Sequence, residues 1–335
     1  MTVASKEVGM GHLMRCLALA DMLNEHFKIH FVISTDSPEV ISLISLNDYV
    51  VSKMDDCYDL RDSSKIRDLV KYADIIVLDF YNLTEQYQIA IKKNHQKLVC
   101  IDDLHEIHFY CDLIINVSNS VKTNDYSCES YTNLLLGSNY VLLRNTFLQK
   151  AILKPRNLDA VTSVFINMGG ADIQNNTLKF LKAVTSIPEV RQIHVVLGTV
   201  NPHSDDILSY INGCKNKHRI KLYNNIDSAE MCSILCQCHL AICPASGMSM
   251  ELCSIGIGIV SGYTADNQLG LLKGLLDSGC AISLDNLNFI EEIQIISCLK
   301  VILKNKDYLN KMIFCQKILI DGMSSNRIKL AFQEL

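Results

Sequence analysis

The feature that most constrains this chain is a repeated alternation between short apolar runs and segments whose apolar residues recur at helical spacing. The apolar runs are the length of strands, and residues 75–78 and 98–101 each lead directly into an aspartate. Ahead of these runs, Leu13, Leu17 and Ala20 follow the i, i+4, i+7 spacing of one helix face. Strands that alternate with helices in this way predict βαβ units and mostly parallel, doubly wound sheets.

The predicted elements fall into two runs along the chain. Strands are predicted in the first half at 29–34, 75–78, 98–101 and 112–116, and in the second half at 161–167, 192–197, 220–223, 240–243 and 258–261. Helices are predicted from about Asn175, over 231–238 and 249–255, and through most of 302–335. The fold class is therefore predicted to be α/β.

The alternation lapses over residues 147–160, which are polar and carry Pro155. Since single cores stop growing near about 250–300 residues, a chain of 335 residues with 49% apolar content is expected to form two domains. We predict a first domain over 1–146, a linker over 147–160 and a second domain over 161–315. The C-terminal helix, 316–335, could return to the first domain.

Charge and hydropathy exclude two classes of partner. The formal net charge is −5 and no basic stripe is present, so we expect no nucleic-acid partner. The apolar runs are far shorter than the about 20 residues of a membrane-spanning helix. The first residues include Lys6 and Glu7 and lack an apolar signal core, so the predicted location is cytoplasmic.

The fourteen cysteines are scattered, mostly among apolar residues. Disulfide-stapled domains are small and rich in loops, unlike this chain. The spacing of Cys232, Cys236, Cys238 and His239 matches no paired zinc arrangement. We therefore expect buried, reduced cysteines and no metal.

The first candidate motif contains Gly9, Gly11, His12 and Arg15, between a strand end and a helix start. Glycines allow close backbone approach there, and the first helical N–H groups can bind an anion. The positive helix end disfavours a protonated His12 ring by about 0.3–1 kcal/mol, so we expect a mostly neutral imidazole, which suits a general base. The alternative is a surface or hydrogen-bonding histidine.

Three further motifs follow predicted strands of the second half. Gly169 and Gly170 could hold backbone close to a phosphate or sugar, or form a simple tight turn. After the strand 240–243, the amides of Gly247, Met248 and Ser249 could bind a pyrophosphate without a metal. Glu251 is predicted in the first turn of that helix, where it either accepts both ribose hydroxyls or only stabilises the helix start.

The last of these motifs is Asp266, Asn267 and Gln268, where the alternative is an Asx-type cap. In the first half, Asp79 with Tyr81 and Asp102 with Asp103 place carboxylates at strand ends. For these carboxylates, turn and cap roles are favoured over metal binding.

Two doubly wound domains carry ligands at the carboxyl ends of their strands, as in the GT-B architecture of many nucleotide-sugar enzymes. The motifs together resemble the UDP-2,4-diacetamido-2,4,6-trideoxy-β-L-altropyranose hydrolases of pseudaminic acid biosynthesis. The resemblance covers nearly the whole chain and is carried by residues 9–20, 101–104, 136–144, 168–172, 245–253 and 265–268. It implies a GT-B-like fold with the two domains facing a central cleft, the first binding the sugar and the second binding UDP.

The resemblance also implies roles for residues. His12 would be the base that activates water, and Asn267 would belong to the sugar site. The expected catalytic pair is thus His12 and Asn267, and the expected substrate-binding set is Gly11, Arg15, Gly169, Gly170, Ser246, Gly247, Met248, Glu251 and Gln268. One departure from the family is that only eight residues precede Gly9, so a shortened first strand is expected.

The predicted reaction is metal-independent hydrolysis of a UDP-sugar at its anomeric C–O bond, with inversion and no cofactor. The expected partner is the UDP-sugar itself. The alternatives are a UDP-sugar glycosyltransferase, which would use an acceptor hydroxyl in place of water, and a non-catalytic protein that binds sugar nucleotides.

Overall fold

A computed structural model describes residues 1–3, 10–35, 37–54, 62–92, 96–198 and 201–335. The described chain divides into two compact units, residues 1–142 with 323–335, and residues 143–322. Every strand pairing between described residues is parallel. None of the helices in these ranges has both the length and the apolar composition needed to cross a membrane.

The first unit is built on parallel strands that form two short sheets joined by a bridge, and a further sheet of two strands. Its strands are β1 Thr2–Val3, β2 His30–Ser34, β3 Val50–Met54, β4 Ile75–Leu78, β5 Lys97–Ile101, β6 His108–Phe109, β7 Leu113–Asn116, β8 Ser127–Cys128 and β9 Asn133–Leu136. Its first helices are α1 Gly11–Leu23, α2 Pro38–Ser45, α3 Ser63–Val70 and α4 Glu85–Ile91.

The strand order of the first unit creates a switch point between β1 and β4. One sheet has the order β1-β2-β3 and the other β4-β5-β7-β9, and a parallel bridge joins Thr2 to Asp79. The backbone N–H of Asp79 donates to the carbonyl of Met1 at 3.0 Å. The chain thus leaves β1 toward β2 on one side, while β4 lies on the other, and the strand order reverses at this point.

The second unit holds one six-stranded sheet in the order β12-β11-β10-β13-β14-β15. The strands are β10 Ser163–Ile166, β11 Gln192–Leu197, β12 Ile220–Asn224, β13 Leu240–Pro244, β14 Gly258–Tyr263 and β15 Ile282–Asn286. The helices are α5 Asn145–Ala151, α6 Asn176–Thr185, α7 Ser204–Gly213, α8 Ser228–Gln237, α9 Gly247–Ile255, α10 Leu269–Asp277, α11 Glu292–Leu303 and α12 Lys306–Leu319. The switch point of this sheet lies between β10 and β13.

The chain returns to the first unit after Gly322 and ends in α13, Ser324–Gln333. Phe332 packs edge-on against Phe27, with ring centroids 6.3 Å apart, and Lys329 pairs with Glu25 at 2.8 Å. The prediction of a mostly helical C-terminal stretch is confirmed by α12 and α13.

All nine predicted strands are confirmed to within two residues at each end. The first strand includes Thr2–Val3, and the residues that follow it, 4–9, lie outside the described part of the chain. The helix predicted over 231–238 begins earlier, at Ser228, because the Asp227 side chain accepts a hydrogen bond from the N–H of Glu230 at 2.8 Å and starts the helix there. The first part of the stretch predicted as a linker is helical, because Phe147 and Leu148 of α5 are buried.

Candidate functional site

The switch point of the first unit brings His12 together with an aspartate 67 residues away. His12 is the second residue of α1, and Asp79 directly follows β4. The Nδ1 atom of His12 lies 2.6 Å from Oδ1 of Asp79, and the two side chains are 5% and 0% exposed. This is a buried imidazole–carboxylate pair at the point where ligands bind in doubly wound sheets.

Arg15, one helical turn after His12, ties this pair to a second carboxylate. Its Nε donates to Oδ2 of Asp79 at 2.8 Å, and its Nη2 donates to Oδ1 at 2.5 Å. Its Nη1 donates to both oxygens of Asp103, at 2.8 and 2.7 Å. One planar guanidinium therefore fixes both carboxylates, the geometry that makes arginine the usual partner for paired carboxylates.

The charge state of Asp79 determines where the His12 proton lies. Burial alone would raise the pKa of the Asp79 carboxyl, but the charges of Arg15 and His12 and their hydrogen bonds outweigh burial and hold this pKa below its usual range. An ionised carboxylate only accepts hydrogen bonds, so the contact at 2.6 Å requires a proton on Nδ1 of His12. In the neutral ring the lone pair then lies on Nε2, which makes no hydrogen bond to the described residues.

Two further side chains hold the His12–Asp79 pair in place. The ring of Tyr81 packs edge-on against the His12 ring, with centroids 4.5 Å apart, and its hydroxyl donates to Asp103 at 3.4 Å. The thiol of Cys16 donates to Oδ2 of Asp79 at 3.2 Å. The imidazole is therefore held by Asp79 on one side and by Tyr81 on another, and these contacts fix the orientation of the ring.

The sequence-based interpretation of Asp79 and Asp103 as turn or cap residues is wrong. Both form ion pairs with Arg15. Asp102 does hold a turn, since its Oδ2 accepts from the N–H of His105 at 2.8 Å and from the Tyr126 hydroxyl at 2.8 Å. The missed signal was strand order, because only adjacency of β1 and β4 brings Asp79 next to the start of α1.

No described residue covers the helix start beside His12. Gly11 is the first residue of α1, and a Cβ placed on it would meet nothing within 4 Å among the described residues. Met10, which precedes it, makes no side-chain cap, so within the described part of the chain no cap occupies the first N–H groups of α1. Gly9 of the same predicted motif lies outside the described residues.

In the second unit, three predicted loops lie at neighbouring strand ends. Asn167, the first residue after β10, donates its N–H to the carbonyl of Ile242 in β13 at 3.1 Å. Ala245, the first residue after β13, donates to the carbonyl of Gly262 in β14 at 2.8 Å. The order β10-β13-β14 therefore places the loops at 167–170, 245–247 and 264–268 side by side at one edge of the sheet.

The first of these loops is shaped by its own backbone and by Gly198. Gly169 has φ +85° and donates its N–H to Oδ1 of Asn167 at 3.2 Å. A Cβ at Gly198 would overlap the backbone of Gly169 and Gly170. Asp172, which follows, is occupied at the start of α6, where its carboxylate accepts the N–H groups of Asn176 and Thr177 at 2.8 Å each.

We expect Gly198→Ala to lower the free energy of unfolding by about 1–3 kcal/mol, since a methyl group must push the loop backbone away. Gly213→Ala is the matched control, because its Cβ would meet nothing within 4 Å, and its effect should stay below about 1 kcal/mol. Urea denaturation of both variants measures the difference. Equal losses of unfolding free energy in the two variants would show that the close approach of Gly198 to the backbone of Gly169 and Gly170 does not matter for stability.

The second loop leads into α9 and exposes the start of that helix. The Ser249 hydroxyl donates to the Ser246 carbonyl at 2.6 Å and accepts from the Ser246 N–H at 3.2 Å. Gly247 is exposed, and a Cβ there would meet nothing within 4 Å. The N–H groups of Gly247 and Met248 donate to no group among the described residues, as expected for a helix start that can receive an anion.

Glu251 lies deeper in α9 than predicted. It is the fifth residue of the helix rather than part of its first turn, because α9 begins at Gly247. Both of its oxygens accept hydrogen bonds from one arginine, Oε1 from Nε of Arg144 at 2.8 Å and Oε2 from Nη2 at 2.9 Å. Arg144 was not among the residues selected from the sequence, since 107 positions separate it from Glu251.

The third loop forms a short 3₁₀ helix over Asp266–Gln268. The Oε1 of Gln268 accepts from the N–H of Thr264 at 2.8 Å, so this side chain closes its own turn. Asp266 is exposed and Asn267 is half-buried. Asn267 belongs to the second unit and His12 to the first.

Among the described residues, no three or more histidine, cysteine, aspartate or glutamate side chains are grouped to hold a metal ion. The anion-binding potential of the second unit comes instead from backbone N–H groups at the start of α9.

Comparisons with known proteins agree with this architecture. No protein-family model matches the chain. The chain is 30% identical over 276 residues to the uncharacterized protein MJ1062 of Methanocaldococcus jannaschii, a match that covers 80% of this chain. It covers 56% of MJ1062, so the chain spans little more than half the length of that relative.

Solved structures resemble the chain over almost its full length. MurG from Acinetobacter baumannii matches with a TM-score of 0.67 and 12% identity, covering 99% of this chain and 98% of MurG. HepE from Anabaena, solved with UDP and glucose, matches with a TM-score of 0.58 and 11% identity, covering 100% of this chain and 98% of HepE. The spinosyn rhamnosyltransferase SpnG, solved with thymidine diphosphate, matches with a TM-score of 0.63 and 12% identity, covering 99% of this chain and 100% of SpnG.

These similarities, together with the parallel sheets of both units, show the fold. The chain has the GT-B-like α/β fold with two doubly wound, Rossmann-like domains, and the predicted fold class is confirmed.

Proposed function

We propose that this chain hydrolyses a UDP-linked 2,4-diacetamido-2,4,6-trideoxy sugar at its anomeric C–O bond and releases UDP and the free sugar for nonulosonic (pseudaminic) acid synthesis in the cytoplasm. The observation that carries the proposal is the buried His12–Asp79 pair, in which Nδ1 of His12 faces the carboxylate and Nε2 is left to act as the proton acceptor. Residues 1–146 would supply the base and bind the sugar, and residues 161–315 would hold UDP.

The proposed reaction begins with attack of water on the anomeric carbon. The water oxygen forms a bond to C1, the bond from C1 to the β-phosphate oxygen breaks, and its electron pair leaves with UDP. Nε2 of His12 takes one proton from the attacking water and later returns it to solvent. Water attacks from the face opposite the leaving group, so the first free sugar has inverted configuration at C1.

Asp79 and Arg15 have positioning roles in this scheme. Asp79 fixes the tautomer of His12 and stabilises the imidazolium that forms, as the buried carboxylate does in histidine-based triads. Arg15 keeps Asp79 ionised despite its burial. Asn267 would orient the sugar or the attacking water.

The departing diphosphate needs charge stabilisation rather than protonation. The N–H groups of Gly247 and Met248 would meet its growing negative charge, and Gly169 and Gly170 would bring backbone close to it. Ser246 and Gln268 would complete the loops that hold the nucleotide, and Gly11 would offer the start of α1. A diphosphate is already a good leaving group, so no cofactor or metal is proposed.

Two comparisons support the substrate class. HepE was solved with UDP and glucose, and SpnG with thymidine diphosphate, and both share this fold. The sequence resemblance to the hydrolase family supports water as the nucleophile.

We expect Gly247→Pro to weaken UDP binding about 5- to 20-fold, since proline at the first helical position removes one N–H donor without breaking the helix. The extended backbone of Ser246, with φ −155°, accepts a following proline. Gly247→Ala keeps the N–H and controls for added bulk. Calorimetric titration with UDP would contradict the prediction if both variants bind UDP as the unaltered protein does.

Incubation with the UDP-sugar and no acceptor tests the proposal. Followed by proton NMR, the reaction should yield free UDP and, as first product, a sugar with inverted anomeric configuration. Binding of the UDP-sugar without release of UDP would instead support a glycosyltransferase or a non-catalytic binding protein. Testing epimeric UDP-sugars in the same way identifies the sugar that is accepted.

A further inference from the structure

The ion pair between Arg144 and Glu251 links two helices of the second unit. Arg144 immediately precedes α5, and Glu251 lies in α9, which packs against α5. The side chains are 16% and 11% exposed, so the pair is largely shielded from water. The guanidinium also lies over the ring of Phe147, 4.9 Å from its centroid. Arg144 is therefore held from two sides.

The two hydrogen bonds from Arg144 constrain both the charge and the orientation of Glu251. Burial raises the pKa of the Glu251 carboxyl, and the charge and hydrogen bonds of Arg144 oppose that rise and favour the ionised form. An ionised carboxylate accepts through about four lone-pair sites, of which the two hydrogen bonds from Arg144 use two. The remaining sites can accept two hydroxyl hydrogens, whereas a protonated carboxyl would present a donor in place of an acceptor.

We propose that Arg144 is a positioning residue that orients Glu251 to accept the 2′- and 3′-hydroxyls of a ribose, so that this unit selects ribonucleoside over 2′-deoxyribonucleoside diphosphates. The proposal rests on the proposed binding of UDP by the second unit. The start of α9, where the diphosphate would bind, lies one turn before Glu251 on the same helix. Arg144 contacts the carboxylate and would not contact the nucleotide.

The alternative is that the ion pair only fastens α5 to α9. A purely structural role predicts equal loss of every nucleotide when Arg144 is changed, because the whole site would loosen. A positioning role predicts a larger loss of affinity for UDP, which carries both hydroxyls, than for 2′-deoxy-UDP, which carries only the 3′-hydroxyl. Comparing UDP with 2′-deoxy-UDP separates these roles.

The test is calorimetric titration of UDP and 2′-deoxy-UDP with the full chain, Arg144→Gln and Arg144→Lys. The unaltered chain should bind UDP about tenfold or more tighter than 2′-deoxy-UDP, the range expected for one charge-assisted hydrogen bond. In Arg144→Gln the ratio of the two affinities should fall to within about threefold, because UDP loses two hydroxyl contacts with Glu251 and 2′-deoxy-UDP loses only the one from its 3′-hydroxyl. Arg144→Lys keeps the positive charge but cannot make both hydrogen bonds to Glu251 at once. Its ratio of UDP to 2′-deoxy-UDP affinity should therefore lie between those of Arg144→Gln and the unaltered chain.

The proposal would be overturned if both variants kept the same ratio of UDP to 2′-deoxy-UDP affinity as the unaltered chain. It would also be overturned if a folded variant lost affinity for both ligands equally. Thermal unfolding monitored by circular dichroism shows whether each variant is folded. If Arg144→Gln does not fold, the affinity ratio of Arg144→Lys decides the outcome. Titration measures binding alone. If the unaltered chain prefers UDP but releases none from the UDP-sugar, the hydrolase proposal fails while this inference stands. If it binds both nucleotides equally, this inference fails.

Discussion

His12→Asn is expected to lower kcat by about 10²–10⁴-fold while leaving UDP affinity within about twofold, because general-base catalysis contributes an effect of that size. Asparagine places its amide N–H close to where Nδ1 of His12 lies. It can therefore keep the hydrogen bond to Asp79, which spans 2.6 Å in the unaltered chain. What it lacks is Nε2, the atom to which the proposal assigns the proton.

The control for this prediction is the effect on binding and folding. UDP affinity measured by titration, and the free energy of unfolding measured in urea, should change little in His12→Asn. His12→Ala removes the contact with Asp79 as well, so it should lose the same turnover and in addition some stability. Comparable losses of turnover and UDP affinity in His12→Asn would show a structural histidine.

Asp79→Asn is expected to have an effect of similar size on turnover, about 10²–10⁴-fold, by a different route. Arg15 donates two hydrogen bonds to Asp79 and would capture the single amide oxygen of asparagine. The amide NH₂ would then face Nδ1 of His12, which would have to accept and pass its proton to Nε2. A ring protonated at Nε2 cannot accept a proton from water.

The same substitution should also destabilise the first unit. Asp79 is fully buried, and its loss leaves part of the Arg15 charge uncompensated, an effect of about 3–5 kcal/mol in buried pairs. The chain offers a matched control in Asp103→Asn, which removes the other carboxylate of the same arginine but leaves the His12 contact intact. Turnover in Asp103→Asn should fall by less than about tenfold.

Nitrogen-15 NMR of the His12 ring provides a readout beyond activity. The unaltered chain should show the proton on Nδ1, and Asp79→Asn should show it on Nε2. Equal losses of turnover in Asp79→Asn and Asp103→Asn, with no change of tautomer, would contradict the role given to Asp79.

Much of the fold was predictable because the central strands are buried on both faces. The strand at 75–78 reads as a continuous apolar run, and the strand at 192–197 as a mostly apolar one that also contains a buried His194; both were predicted residue for residue. The edge strand β3, Val50–Met54, was not predicted, because it carries Ser52 and Lys53 and Val50 is 63% exposed. Burial on both faces leaves a clear pattern in sequence, and exposure at a sheet edge removes it.

The candidate site was predictable only where its chemistry is local. Glycine and small residues before a helix indicate exposed N–H groups, so the start of α9 could be located from residues 245–249 alone. The partner of His12 lies 67 residues away in sequence, and the two partners of Arg15 lie 64 and 88 residues away. The partner of Glu251 lies 107 residues away. Those pairs depend on strand order and helix packing, which apolar periodicity does not specify.

Both units have the same reversal of strand order but carry different chemical groups beside it. Each unit reverses its strand order between its first and fourth strands, at β1 and β4 in one unit and at β10 and β13 in the other. In the first unit that point carries a charged network around an imidazole. In the second it carries backbone N–H groups and a carboxylate held by Arg144, the groups to which the proposed function assigns the nucleotide.

Turnover in water labelled with oxygen-18 tests the central claim most directly, since it reports which bond breaks. If His12 activates water for attack on the anomeric carbon, mass spectrometry should find the label in the free sugar and none in UDP. Label in the phosphate of UDP, or no release of UDP at all in the absence of an acceptor, would contradict the account.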